Sequence, residues 1–401
     1  MTSRPTNSEP LSIPAQRDAI NQAIAWHYAQ ISILKTQANA LNPISTLPNE
    51  IISKIFHAYA FLSGPPFDLK WAKVMLVCHR WHDIALSEQS LWGFIEVIFS
   101  RNLRRISTQL DRSGAAPLTI KITHMESQRY PMMLLEHAER LREVHLAGHA
   151  INVLRFMNSL SNHSFPLLQS IKLDPSYKLE EVPEEVPTTF PDALFDGRAP
   201  CLTELDMSTI SINWSLLRGL HRLSLDLSHD TSQPRTFANI LSVLNASPML
   251  TYLKLGRVIS PLIPQSSYPT ISLPLLDFIW IQDDVDLCDE LLRHIIIPPT
   301  TRISIYGLGI RSGSDIADLL VPIRKHARAP SAPTLRCLQL EAAESARTNF
   351  MISSYTAVTV PNVLEYECGT FLVNTHPTNE HFLRQIMTKV IKALPCTTIT
   401  H

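Results

Sequence analysis

The chain has 401 residues, 45% of them hydrophobic and 18% charged, with a formal net charge of −1. This is the balance of an ordinary globular protein long enough for two or three structural units. A net charge so close to zero builds no field to gather nucleic acid or anionic lipid, and no apolar run reaches the length of a membrane span, so neither is an expected partner.

Residues 1–13 are polar and lack the apolar core of a leader, so a disordered tail is expected, on a soluble intracellular protein, cytoplasmic or nuclear. A helix is predicted over 14–42, opening at Pro14 and stopped by Asn42-Pro43. Within it Ile20, Ile24, His27, Ile31, Leu34, Ala38 and Leu41 alternate spacings of four and three, which is a heptad seam. Two uses fit such a seam: a two-stranded coiled coil joining two copies, or one helix packed back on the helices that follow. His27 and Ala38 weaken the seam, so the second is the expectation.

The stretch Leu47–Trp92 reads as three short helices. Pro48 suits a first helical position, where a missing N–H costs nothing, and Glu50 sets negative charge against the positive end of the dipole. Leu47, Ile51, Ile52, Ile55 and Phe56 form one apolar stripe; Val74, Val77, Cys78, Trp81, Ile84 and Ala85 repeat at helical spacing in a second. So short a unit cannot bury all of this, and the surplus must go against a partner or the rest of the chain.

The order Leu-Pro-x-Glu-Ile-Ile-x-x-Ile-Phe from Leu47, Val-Cys-x-x-Trp-x-x-Ile-Ala from Val77, then Leu91-Trp92 resembles an F-box, here given the bounds 43–93. The resemblance implies docking onto the Skp-family adaptor of SCF-type cullin–RING ubiquitin ligases, and through it onto cullin. It also implies that Leu47, Pro48, Glu50, Ile51, Ile55, Val77, Cys78, Trp81, Leu91 and Trp92 carry the adaptor contact or the core behind it.

Gly93 to Phe99 is a predicted strand and Ser100 to Leu110 a predicted helix; beyond them the chain repeats itself. The unit is Pro-x-Leu-x-x-Leu-x-Leu, seen from Pro166, Pro200, Pro248, Pro274 and Pro333, with looser copies from Pro117, Leu141, Leu220, Thr300 and Pro361. The x-Leu-x-Leu part alternates with period two and predicts a strand with one buried face. Helical segments are predicted between strands, at Ala150–Leu160, Phe237–Leu244, Asp286–Arg293 and Asp315–Leu320. The core and period resemble an irregular leucine-rich repeat. The expected fold class is therefore α/β: an N-terminal helical F-box domain, then a leucine-rich-repeat-like solenoid of parallel strands and helices over 94–378. Ser176 to Arg198, rich in acid and proline, interrupts it as a solvated loop, and an amphipathic helix opens a capping segment over 379–401.

No catalytic site, cofactor site or metal site is expected. Gly307, Gly309 and Gly313 follow a strand but have the wrong spacing for a dinucleotide loop. His145 and His149 lack a third ligand, and the six cysteines form no Cys-x-x-Cys pair and read as reduced core thiols. What remains is the strand face between the buried leucines. Glu204 and Asp206, Arg222 and Ser224, Tyr252 and Lys254, Phe278 and Trp280, Arg302 and Ser304 should share it, as should Cys337, Gln339, Glu365 and Glu367. Tyr252, Lys254, Phe278, Trp280 and Arg302 are the candidate contacts for a protein target, because large aromatics are costly to leave in water. The function so implied is that of a non-catalytic substrate-recognition subunit of a ubiquitin ligase. A repeat scaffold unconnected with ubiquitin is the alternative.

Overall fold

In the computed structural model the chain divides into two compact units, residues 1–94 with 107–116, and residues 95–106 with 117–401. The structure describes residues 12–62, 64–98, 103–125, 133–160, 162–175, 190, 192, 197–208, 212–227, 236–259, 268–308, 315–332, 337–342, 349–355, 367–374, 388–389, 392 and 398–400. Residues 1–11, most of the predicted acidic loop from Ser176, residues 309–314 and most of the predicted terminal helix lie outside these residues. No helix among the described residues is long and apolar enough to cross a membrane.

In the first unit, helix α1 (Ile13–Ala40) runs as predicted and gives way to a 3-10 turn at Pro43–Thr46. None of its residues is buried, which corrects the expectation that its seam packs back on the helices that follow. Helix α2 (Asn49–Ala60) starts one residue later than predicted. Pro48 is its N-cap, and the Pro48 carbonyl accepts from the N–H of Ile51 and of Ile52. The second apolar block is broken into a 3-10 helix, Lys70–Leu76, and α3, His79–Ser87, with Cys78 extended between them. Trp71 and Val74, three apart, match the 3-10 period and are both buried, which explains the break. Helix α4 (Gln89–Trp92) completes a core of Ile52, Phe56, Trp71, Val74, Ile84, Ala85, Leu91 and Trp92. The Trp71 and Trp92 rings meet edge to face at 5.0 Å, and Trp92 Nε1 donates to the Ala85 carbonyl at 3.0 Å.

The second unit is built on a 13-stranded sheet. It begins with β1 (Phe94–Val97), β2 (Leu118–Met125), β3 (Leu141–Gly148), β4 (Ser170–Pro175), β5 (Glu204–Ser208), β6 (Arg222–Asp226) and β7 (Tyr252–Gly256). The strands β9 (Phe278–Asp284) and β11 (Arg302–Leu308) follow, and from β2 to β11 every pairing in this sheet is parallel and in chain order. Two short strands, β8 (Ile271–Ser272) and β10 (Ile295–Ile296), pair with each other. The helices Ala150–Leu160 and Val285–His294 pack against strands that flank them.

The recurring proline has a clear mechanical role. The N–H of Leu168 bonds to the carbonyl of Phe165, Leu202 to Ala199, Leu250 to Ser247 and Leu276 to Leu273. Each is a four-residue turn with Pro166, Pro200, Pro248 or Pro274 in its second position, where the ring presets φ and no N–H is needed. Each turn delivers a buried leucine to the bend and then a strand. Just past the bend, the N–H of Thr203 bonds to the carbonyl of Gln169, His221 to Thr203, Thr251 to His221, Asp277 to Thr251 and Arg302 to Asp277. These bonds lock one strand entrance to the next.

Beyond β11 the arrangement departs from expectation. The repeats beginning near residues 335 and 363 were to continue the parallel run in order. Instead β14 (Glu367–Asn374) lies beside β11, while β13 (Asn349–Tyr355) pairs antiparallel with both β14 and β12 (Cys337–Ala342). The edge strand β15 (Thr398–Thr400) then pairs parallel with β12. A parallel crossover takes about a dozen residues or more, longer than the separation of β12 and β13 in the sequence, in keeping with their antiparallel pairing.

One buried carboxyl stands out in β9. Asp283 accepts from the N–H of Ile259 and of Asp284, each at 3.0 Å, yet burial pushes its pKa up to about 6. The native state therefore holds this proton more tightly than the unfolded chain. The associated stability is fully present below the unfolded value and is lost as pH rises through about 6. Urea titrations of wild type and Asp283→Asn should show their stability difference moving in favour of wild type by about 1 kcal/mol from pH 7.5 to pH 5. A flat difference would mean an ordinary ionised carboxylate.

Candidate functional site

The structure sorts the predicted adaptor-contact residues by depth. Helix α2 turns Ile52 and Phe56 inward and leaves Ile51 and Ile55 about 40% exposed. Val77 is 58% exposed, Pro48 and Glu50 are exposed, and Leu47, Cys78 and Trp81 are half-buried. Leu91 and Trp92 are buried in the core, the second of the two places expected for this set. Leu76, absent from the predicted set, is 85% exposed beside Val77. No sequence signal separates Leu76 from its buried neighbours, because only the 3-10 turn decides which side chain faces out.

Two polar clusters hold this surface in shape. The Arg80 guanidinium on α3 donates to the carbonyls of Ser45 and Leu47, each at 2.6 Å, and to Asn49 Oδ1 from both Nε and Nη2. It thereby ties the segment leading into α2 to α3 and fixes Leu47 and Pro48. Glu88, between α3 and α4, accepts from the hydroxyls of Ser53 and Ser90 and faces His57 Nε2 at 3.4 Å. Burial pushes its carboxyl up, but these partners outweigh burial and hold it below the usual carboxylate range.

On the sheet, register does what alternation predicts. Arg222, Tyr252, Phe278 and Arg302 are in line across β6, β7, β9 and β11, and Ser224, Lys254, Trp280 and Ser304 form the next line. The Tyr252 and Phe278 rings stack at 5.1 Å. Arg222 lies 4.2 Å from the Tyr252 centroid, Lys254 4.9 Å from Trp280 and Arg302 5.5 Å from Phe278. Arg302 also pairs with Asp277 at 3.0 Å. All five predicted contacts thus lie half-buried on one face. Arg222 belongs with them, and its position before Leu223, like that of Tyr252 before Leu253, was the signal. The side chains of Cys337, Gln339, Glu365 and Glu367 lie outside those described.

An F-box-like family model matches residues 44–95. The first unit therefore carries an F-box-like domain, and domains of this kind bind Skp-family adaptors. No curated protein matches the chain.

Replacing Arg80 by Ala should cost about 1–3 kcal/mol in chemical denaturation, the range for hydrogen bonds from a charged group. Arg80→Lys should recover only part, because an ammonium cannot span two carbonyls and an amide as the planar fork does. A loss within a few tenths of a kcal/mol for Arg80→Ala would show the residue to be an ordinary surface arginine.

Proposed function

We propose that the protein is a substrate-recognition subunit of an SCF-type cullin–RING ubiquitin ligase. The F-box-like domain binds the Skp-family adaptor, and through it cullin. The contact is made by Leu47, Pro48, Glu50, Ile51, Ile55, Val77, Cys78 and Trp81, with Leu76 added and with Leu91 and Trp92 as the support beneath. The observation that carries this is the match at 44–95 falling on the stretch that leaves Ile51, Ile55, Leu76 and Val77 in water.

The second unit is read as an irregular leucine-rich-repeat-like solenoid that holds a protein target. Support comes from the parallel strands in chain order and from the proline turn and buried leucine that begin successive units. Tyr252, Lys254, Phe278, Trp280 and Arg302 are its proposed contacts. The chain contributes no chemistry of its own; it raises the effective concentration of a target near the ubiquitin-conjugating enzyme.

Ile51→Asp with Val77→Asp tests the adaptor half, since both side chains are exposed and the core is untouched. Capture of purified adaptor should weaken tenfold or more, each lost apolar contact contributing about 1.5–3 kcal/mol, while the melting temperature stays put. Undiminished capture would favour the repeat scaffold with no tie to ubiquitin. On the sheet, Trp280→Ala should weaken an identified target without changing adaptor capture; full retained affinity would remove Trp280 from the contact set.

A further inference from the structure

We infer that α1 is a dimerisation helix: its apolar seam pairs in parallel with the same seam of a second copy of this chain. The inference stands on three observations about one helix and does not depend on the ligase reading.

The first is that the seam has no cover. Ile20, Ile24, Ile31 and Leu34 are 60%, 47%, 46% and 63% exposed, although no residue in the whole of Ile13–Ala40 is buried to compensate. Most helical stability in proteins comes from packing an apolar face, and here that face is left uncovered.

The second is orientation. The residues of α1 that approach the remainder of its own unit are Ser32, Lys35, Thr36 and Asn39, which line a shallow groove with Met75 to His79 and His82. Ser32 Oγ comes within 3.5 Å of His79 Nε2. Ser32, Thr36 and Asn39 are outer polar positions of the heptad, and Lys35 flanks the seam. The seam faces elsewhere; Trp26 and Ile33, also exposed, stand at outer positions of the heptad and are not part of it. The F-box-like domain therefore occupies the wrong face of α1 to bury the seam.

The third is the chemistry of the seam, which selects a like partner. With Ile24, Ile31 and Ala38 at one core position and Ile20, His27, Leu34 and Leu41 at the other, β-branched residues alternate with leucine toward the C-terminal half. That is the pattern favouring parallel two-stranded pairing. Flanking positions that would meet across such a dimer are Gln16 with Asn21, Ala23 with Tyr28, and Gln30 with Lys35. None opposes like charges. Arg17 stands one core position before Ile20, so the paired stretch begins at Ile20 and runs roughly 33 Å to Leu41. His27, meeting its counterpart, is a polar core residue that fixes register.

The test is the mass of the purified full chain by light scattering from 1 to 100 µM. Wild type should approach twice 45.2 kDa as concentration rises. Ile24→Asp with Ile31→Asp should stay at one chain mass with an unchanged melting temperature, since neither residue belongs to a core. Mild oxidation of His27→Cys, made in a chain carrying Cys78→Ser and Cys201→Ser, should then give a covalent dimer that the same chain with His27 does not. Wild type at one chain mass throughout overturns the proposal. Dimers that survive the double aspartate variant, or a His27→Cys chain that does not cross-link within a dimer, overturn the seam and its parallel sense respectively. If the variant instead loses adaptor capture while wild type alone is monomeric, the seam is an adaptor contact and not a dimer interface.

Discussion

The second unit depends on the hydrogen bonds that join one strand entrance to the next. The Thr203, His221, Thr251 and Asp277 N–H groups each reach back to the carbonyl of their counterpart on the preceding strand, and the Arg302 N–H reaches Asp277, one residue before its counterpart Phe278. In a parallel sheet a slip of one residue would turn every side chain to the opposite face. With the entrances locked, Leu205, Leu223, Leu253 and Ile279 stay inside and Tyr252, Phe278 and Arg302 stay in line outside. The proline turns work upstream of this lock. They make each entrance short and stiff, so the bend leucine and the bonding residue arrive together. The function proposed for this face is therefore a consequence of backbone register first and of side-chain identity second.

This explains what could be read in the sequence. Strands from Leu118 to Leu308 and the helices at Ala150, Phe237, Val285 and Asp315 follow from local patterns that each unit repeats, so composition and period suffice. The reading fails where a non-local choice enters. Asn349–Tyr355 carries no repeat pattern, yet it inserts between β12 and β14, its antiparallel pairing in keeping with a separation from β12 shorter than a parallel crossover takes. The break at Cys78 was hidden for a related reason. Helical spacing from Val74 to Ala85 is compatible with one continuous helix, and only the three-residue spacing of Trp71 and Val74 hinted at a tighter turn. Within the predicted contact set depth was not legible: Leu91 and Trp92 belong to the same motif as Ile51 and Val77 but lie on the inner side.

The first unit shows the limit set by size. Its core holds two tryptophans, Phe56 and a few aliphatics, and the unit has no further inner surface to offer Ile51, Ile55, Leu76 or Val77. Such a unit needs internal polar ties to keep its outer apolar face flat and fixed. Arg80 and Glu88 supply them from opposite ends of α3, one bridging to the segment before α2 and the other to Ser53 on α2 itself. A backbone already fixed by such ties has no loop ordering left to lose when the face is covered.

The sheet face is organised differently, and the difference bears on what it can hold. Its aromatic rings are already half covered by cations: Arg222 on Tyr252, Lys254 on Trp280, Arg302 on Phe278. Each cation lays its charged end over a ring and covers part of it, so the row is stable without an occupant. On β5, in register with Arg222 and Ser224, Glu204 adds negative charge beside the aromatic row, while Asp206 is paired with Lys172 on β4 at 3.2 Å. A target lying across the strands would meet acid at β5 and cations over rings from β6 to β11. That asymmetry favours one direction of binding over the reverse, and electrostatic arrangement of this kind sets orientation and partner choice more than strength.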